Sequence, residues 1–363
     1  MSNTNEYKFE GWLCKDKNCI KGEMEWGTYE PKHFEDDDID IKIMFCGVCG
    51  SDAHEAGSQW FDLGDLYPCV VGHEIVGKVI KIGSRVTNVK VGDIVGVGAQ
   101  SDSCMECDEC KANEEPYCAN NCTTYCARYK RQPNSKGDKS YGGYAKYHRV
   151  PAHFAIPIPQ GLDPAKAAPL LCAGSTVYSP LVRYGAGSTK KDVGVIGIGG
   201  LGHIAVAMAR AMGANVTAIS HSDSKAADAQ LLGATNFLAT HGRDDAFKGH
   251  ERSLDLILAT TNDRSMPLNG YLSLLRPHGV LVLLGVSGDP LPPIDALPFV
   301  LSNIHIAGSA IGSPQTIKAM FDLAVKHQIE PWIEKRPMSK ANETLVDLVA
   351  SKARYRYVLV ADE

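Results

Sequence analysis

Six residues, Gly197-Ile198-Gly199-Gly200-Leu201-Gly202, join an apolar strand-like run, Val193 to Ile198, to a helical pattern, Leu201 to Met212. A strand that ends in a glycine turn and opens directly into a helix begins a strand–helix–strand unit, and such units build parallel sheets. Further buried runs follow at Val216 to Ser220, Asn236 to Leu238, Leu254 to Ala259, Val280 to Gly285 and Ile304 to Gly308. Helical stretches at Lys225 to Leu232 and Leu268 to Leu275 lie between them. The alternation predicts an α/β domain with a doubly wound parallel sheet over residues 163–308. The same region excludes a membrane span: Val193 to Ala209 is long and weakly charged, but five glycines and His203 interrupt it and Arg210 ends it.

Within the turn, Gly197 permits the tight bend, Gly199 lets backbone approach a pyrophosphate, and Gly202 permits close helix packing. The helix N-terminus, with Gly200 and Leu201 in the same turn, then offers unpaired N–H groups to the anion. An ordinary glycine-rich connection is the competing reading, and the surrounding sheet pattern weighs against it. A carboxylate about 20 residues further on would bind the adenosine ribose of NAD. Here the strand ends in Ser220, followed by His221, Ser222, Asp223, Ser224 and Lys225. A small hydroxyl with a nearby lysine suits a 2′-phosphate, which an acid would repel, so NADP(H) is favoured over NAD(H). Asp223 is the counterargument, because a shifted turn would bring it to the ribose; its alternative role is to cap the next helix.

The chain has 363 residues, which calls for about two domains. Ahead of the predicted parallel sheet, residues 39–159 show short apolar alternations broken by glycine, as in Ile39 to Met44, Ile75 to Ile82 and Asp93 to Val97. That is the pattern of a mostly β domain with functional loops. A helix from Gln315 to Lys326 and a strand from Tyr357 to Val360 follow Gly308, and pattern alone assigns them to neither domain. With 22% charged residues, a formal charge of -5 and a pI near 6.2, nothing calls for nucleic acid or an anionic membrane as partner. Met1 to Phe9 lacks a charged-then-apolar signal pattern, so a cytoplasmic protein is expected, with its 12 cysteines as ligands and reduced thiols.

Four of those cysteines, Cys104, Cys107, Cys110 and Cys118, have the spacing of a tetrathiolate zinc site. Such a site is closed to substrate and braces a loop. The polar segment 101–141 is then a long excursion held by the metal. A disulfide cluster or scattered thiols is the alternative.

A second constellation lies in Cys46-Gly-Val-Cys49-Gly-Ser51-Asp52-Ala-His54 and Gly72-His73-Glu74. A thiolate and an imidazole from these two segments are good zinc ligands, and a third can come from a distant cysteine. Spacing leaves Cys46, Cys69, Cys122, Cys126 and Cys172 all eligible. Each residue also has an ordinary reading: Cys46 as core, His54 as a surface side chain, Glu74 as a solvated charge.

Taken together, CGVCGSDAH, VVGHEIVGKV, the cysteine lobe at 104–118, PLLCAGSTVYSPL from Pro169 to Leu181, GIGGLGH and the terminal ARYRYVLV resemble the zinc-dependent medium-chain alcohol dehydrogenases. The resemblance covers nearly the whole chain and points to the cinnamyl-alcohol-dehydrogenase-like branch, which includes fungal NADP-dependent enzymes of broad specificity. It implies a GroES-like, mostly β catalytic domain formed by residues 1–162 and 309–363, and a Rossmann cofactor domain at 163–308. It implies Cys49, His73 and Cys172 as ligands of a catalytic zinc, with Glu74 able to approach the metal. Asp52 would orient His73, Ser51 would bond the substrate oxygen, and His54 would be the outer end of a proton relay. Arg356 matches an arginine that approaches the cofactor pyrophosphate. His221 stands where close fungal relatives carry arginine.

The implied reaction is reversible hydride transfer between NADP(H) and primary alcohols or aldehydes, with two zinc ions per chain. Trp60, Thr176 and Tyr178 are candidates for contacts to an apolar substrate, or core residues. A homodimer through the sheet edge near Ile304 to Gly308 is also implied. The rival readings are an NAD-dependent polyol or secondary-alcohol dehydrogenase of the same fold, and a noncatalytic dinucleotide-binding redox sensor or structural protein.

Overall fold

A computed structural model describes residues 7–240, 245–261, 263–286, 288 and 290–362. The chain forms two compact units, one of residues 1–172, 312–325 and 331–363, the other of residues 173–311 and 326–330.

The spine of the first unit is the strand Asp38–Val48. Its alternating Ile39, Ile41 and Ile43 are fully buried, as half-apolar strand patterning requires. The opposite face is covered as well, so Asp38 and Asp40 are buried with cations: Asp38 pairs with Lys32, and Asp40 takes Arg149 at 2.7 and 2.9 Å. The spine pairs antiparallel with Ile75–Ile82 on one side, and on the other with Tyr147–Pro151 and Arg356–Val360. Ile333–Pro337 joins Arg356–Val360 in parallel, so the carboxy-terminal strands belong to this sheet. The helix Pro164–Pro169 lies in the same unit, which therefore runs on to Cys172.

The polar excursion 101–141 is not held by its cysteines alone. The strands Gln100–Asp102 and Cys122–Thr123 pair across its base, and Gln100 Nε2 donates to the Glu115 carbonyl at 2.8 Å. Arg131 Nε reaches Asp102 Oδ1 at 2.9 Å. Backbone and ion-pair closure therefore supplements the four sulfurs.

The second unit holds six parallel strands, Asp192–Ile196, Asn215–Ser220, Asn236–Ala239, Leu254–Ala259, Leu275–Leu283 and His305–Gly308. Numbered along the chain, they lie in the order 3-2-1-4-5-6, the doubly wound arrangement expected from the sequence. Most strands of this sheet lie within two residues of their expected bounds, but the run predicted at Val280 to Gly285 begins at Leu275 and ends at Leu283, because Leu275 pairs with Leu254 across a register shift. The preceding helix accordingly ends at Ser273. The run considered as a membrane span is a strand, a turn and the helix Gly202–Ala211. Among the described residues no helix is long and apolar enough to cross a membrane.

Candidate active site and metal centres

Strand register assembles the buried cluster of the first unit. Cys49 follows the spine strand and begins the helix Gly50–Ala56, while His73 and Glu74 immediately precede Ile75–Ile82. Because Cys46 pairs with Ile75, those two segments meet at one end of the sheet. Tyr357 pairs with Val48, which brings Arg356 to the same end. Cys172 comes from a widened helical turn, Leu170–Gly174, a geometry that recurs at functional sites. Gly47 is required here, because a Cβ would lie 1.9 Å from Glu74 Oε2.

The ligand atoms of Cys49, His73, Glu74 and Cys172 all lie within 4.8 Å of one another, and all four residues are buried. His73 Nε2 is 3.1 Å from Cys172 Sγ. On its other side, His73 Nδ1 lies 2.8 Å from Asp52 Oδ1, which fixes the proton on Nδ1 and turns Nε2 toward the sulfurs. Asp52 Oδ2 accepts from the Cys49 backbone N–H and from the Tyr144 hydroxyl, both at 2.9 Å. The Cys172 thiol donates to Cys49, which holds Cys49 well below the usual thiol range and Cys172 well above it. Burial alone would hold the His73 imidazole down, but Asp52 beside it raises it.

Glu74 Oε1 pairs with Arg356, whereas Oε2 is buried without a hydrogen-bond partner. Burial pushes the Glu74 carboxyl up even though the Arg356 guanidinium opposes the shift. An orphaned carboxylate oxygen beside two sulfurs and an imidazole is a donor set that fits zinc. Arg356, implied by resemblance to approach a pyrophosphate, is 3% exposed and is held against Glu74. Neither this pairing nor the Tyr144 hydroxyl at Asp52 carried a signal in sequence spacing.

Ser51 is half-buried, 3.8 Å from Cys49 Sγ. His54 stands three residues further along the same helix, its Nδ1 2.5 Å from Gln59 Oε1 and its ring stacked on Trp60. Of the other candidates for substrate contact, Thr176 is buried in the helix Ser175–Arg183 of the second unit, which also carries half-buried Tyr178.

The second metal group is Cys104, Cys107, Cys110 and Cys118. Its sulfur–sulfur separations of 3.5, 3.5 and 3.9 Å match the edge of about 3.8 Å that a tetrahedron with 2.3 Å zinc–sulfur bonds would have. The Cys107 N–H points at Cys104 Sγ and the Asn120 N–H at Cys118 Sγ, each at 3.3 Å. Backbone N–H groups of Glu106 and Cys107 hold the Cys104 thiol below the usual thiol range, which favours the thiolate.

In the second unit the glycine turn has the cradle shape its sequence calls for. Gly197 adopts a φ of +84°, and a Cβ on Gly202 would lie 1.7 Å from the Gly197 carbonyl oxygen. Nothing lies within 4 Å of the position a Cβ would take on Gly199, which leaves room for a ligand against the backbone. Gly200 and Leu201 lead into the helix that starts at Gly202. Lys225 Nζ donates to the Ile198 carbonyl at 2.6 Å, so the lysine stands over this turn. Ser220 ends its strand buried, and His221 and Asp223 are exposed. Asp223 opens a short helical turn, Asp223–Lys225, that Ser222 precedes.

Two family profiles match the chain: an alcohol dehydrogenase GroES-like domain over residues 35–160, and a zinc-binding dehydrogenase over residues 200–326. NADP-dependent alcohol dehydrogenase 6 of Saccharomyces cerevisiae is 41% identical over 357 residues, 97% of this chain and 96% of the yeast protein. A cinnamyl alcohol dehydrogenase structure from Sorghum bicolor superposes with a TM-score of 0.89 at 34% identity, covering 98% of both chains. The Helicobacter pylori enzyme of that name, complexed with NADP(H), superposes at 0.86 with 32% identity, covering 97% of this chain and 98% of its own. By these matches, and by the two cysteine-bearing metal groups and the doubly wound sheet, the chain belongs to the zinc-dependent medium-chain alcohol dehydrogenase family, in its cinnamyl-alcohol-dehydrogenase-like branch.

Proposed function

We propose that this chain is an NADP(H)-dependent zinc alcohol dehydrogenase that interconverts primary alcohols and aldehydes, aliphatic or aromatic, including cinnamyl-type compounds. The observation that carries the reading is the buried group Cys49, His73, Glu74 and Cys172, with one Glu74 oxygen left unpartnered. When bound, zinc supplies Lewis acidity toward the substrate oxygen, and the nicotinamide carries the hydride. Cys49, His73 and Cys172 hold the ion, and Asp52 keeps the His73 tautomer that ligation needs. Glu74 would offer a further oxygen to that ion, and Arg356 compensates its charge. Ser51, beside Cys49, accepts the hydrogen bond of the alcohol. His54, half-exposed and steadied by Gln59, exchanges the proton with solvent. A second zinc held by Cys104, Cys107, Cys110 and Cys118 braces the excursion.

The preference for NADP(H) rests on Ser220 at the strand end and Lys225 beside the glycine turn. The yeast relative is named as NADP-dependent, and the Helicobacter pylori structure carries NADP(H). Cells usually keep NADP reduced, so aldehyde reduction is the working direction, and a reducing cytoplasm suits the thiolate ligands.

Among the described residues, His305–Gly308 pairs on one side only, at the edge of the second unit's sheet. Leu297, Val300 and Leu301, just before it in sequence, are 64%, 79% and 71% exposed. An unpaired edge close in sequence to exposed apolar side chains supports a homodimer through this strand. Light scattering of wild type and Leu301→Asp tests it, the variant being expected to run as a monomer.

Metal analysis should find about two zinc ions per chain, one closed and one open site. A single zinc would defeat the catalytic reading. Initial rates on a panel of aliphatic and aromatic aldehydes, each with NADPH and NADH, test the reaction, and equal rates with both cofactors would remove the argument from Ser220 and Lys225.

A further inference from the structure

We propose that Tyr125 is a positioning residue for His73, and that through it the four-cysteine excursion steadies the open metal site. The inference rests on reading Cys49, His73 and Cys172 as ligands of a zinc ion.

Tyr125 is 4% exposed, with its hydroxyl 3.0 Å from His73 Nδ1. Its ring centroid lies 5.4 Å from that of His73, with the planes tilted by 39°. Since Nε2 faces the sulfurs, Nδ1 carries the hydrogen and donates to Asp52 Oδ1, with the phenol oxygen as a second acceptor. The carboxylate and the phenol thus both meet the imidazole at Nδ1, behind the metal ligand. Asp52 alone leaves the imidazole free to swing about its Asp52 contact, whereas a second contact at Nδ1 fixes the ring plane, and ring orientation sets how well Nε2 addresses an ion.

Tyr125 is delivered by the excursion. Cys122–Thr123 pairs with Gln100–Asp102, and these strands enclose the segment that carries Cys104 to Cys118. The next residue, Thr124, donates its N–H to the Ala99 carbonyl at 3.0 Å and its hydroxyl to the Gly98 carbonyl. Thr123 Oγ1 donates to the carbonyl of Tyr125 itself at 2.8 Å. The backbone that presents the phenol is therefore anchored to both ends of the lobe that the closed site braces. A loosened lobe would carry Tyr125 away from His73 although no lobe cysteine touches the open site.

The test is zinc release from the two-zinc holoenzyme into a chelating dye, 4-(2-pyridylazo)resorcinol, with the closed-site phase identified by its absence in Cys107→Ser. Tyr125→Phe deletes one oxygen, and release from the open site should accelerate by about ten- to a hundredfold. The closed-site phase and the melting temperature of the metal-free protein should stay unchanged. Cys107→Ser should also speed open-site release, but add little in the Tyr125→Phe background. Open-site release at the wild-type rate in Tyr125→Phe would overturn the proposal. So would acceleration of both phases together with a lower melting temperature, which marks general loosening. A wild-type protein that holds one zinc, or turns over no alcohol, would instead defeat the reading of the open site, and that is seen before any variant is made.

Discussion

His148 gives the sharpest stability prediction. Its side chain is 1% exposed on the strand Tyr147–Pro151, with Nδ1 3.0 Å from the Tyr141 carbonyl and Nε2 buried without a partner. Burial pushes the imidazole down to about 4, against the pull of the Tyr141 bond and of Asp40. An unfolded histidine takes its proton near 6.5, so below that pH the unfolded chain binds a proton that the folded chain refuses until about 4. The depressed value therefore leaves stability intact above about 6.5 and removes it as pH falls toward 4. Between pH 7 and pH 5 the loss from this one group is about 2 kcal/mol. His148→Gln keeps an amide N–H for the Tyr141 carbonyl but cannot titrate. Urea unfolding of both proteins at pH 7 and pH 5, at matched zinc content, isolates the term, because the other titrations are common to both. Wild type should lose about 2 kcal/mol more than the variant across this interval. Equal losses would refute the reasoning and show that folded His148 takes its proton as readily as the unfolded chain.

The glycine turn, the metal sites and the cofactor preference each give a further test. Lys225→Ala removes one charged contact of about 1.5–3 kcal/mol, so the KM for NADPH should rise about ten- to a hundredfold while that for NADH holds. Asp52→Asn should lower kcat/KM by about ten- to a hundredfold and weaken zinc at the open site, measured by competition with a chelator. Gly202→Ala places a methyl group 1.7 Å from the Gly197 carbonyl and should abolish binding of both dinucleotides in titration calorimetry while the first unit keeps its zinc. Cys107→Ser should lose the closed-site zinc and unfold at lower temperature, yet retain turnover per folded molecule in zinc-replete buffer; a well-folded variant without turnover would contradict a bracing role.

Several elements were legible from local pattern because their physics is local. Ile75–Ile82 and Leu254–Ala259 have the bounds their apolar runs predict, since both faces of these strands are largely covered and glycine or polar residues end them. The glycine turn was legible because steric exclusion at Gly197 and Gly202 acts within a few residues. Leu275 was not, because nothing around it distinguishes a helix end from a strand that pairs with Leu254 across a register shift.

The sequence by itself determined the doubly wound sheet, the glycine turn and the tetrathiolate spacing, each of which is set by residues close together in the chain. Among the distant cysteines, spacing left five eligible as the third ligand, and it was family resemblance that singled out Cys172. Tertiary structure decided that Cys172 meets His73, that Arg356 reaches Glu74 from 282 residues away, and that Tyr125 and Tyr144 close around the network behind His73. Those contacts depend on strand register and on where an excursion returns, and side-chain spacing along a chain carries no information about either.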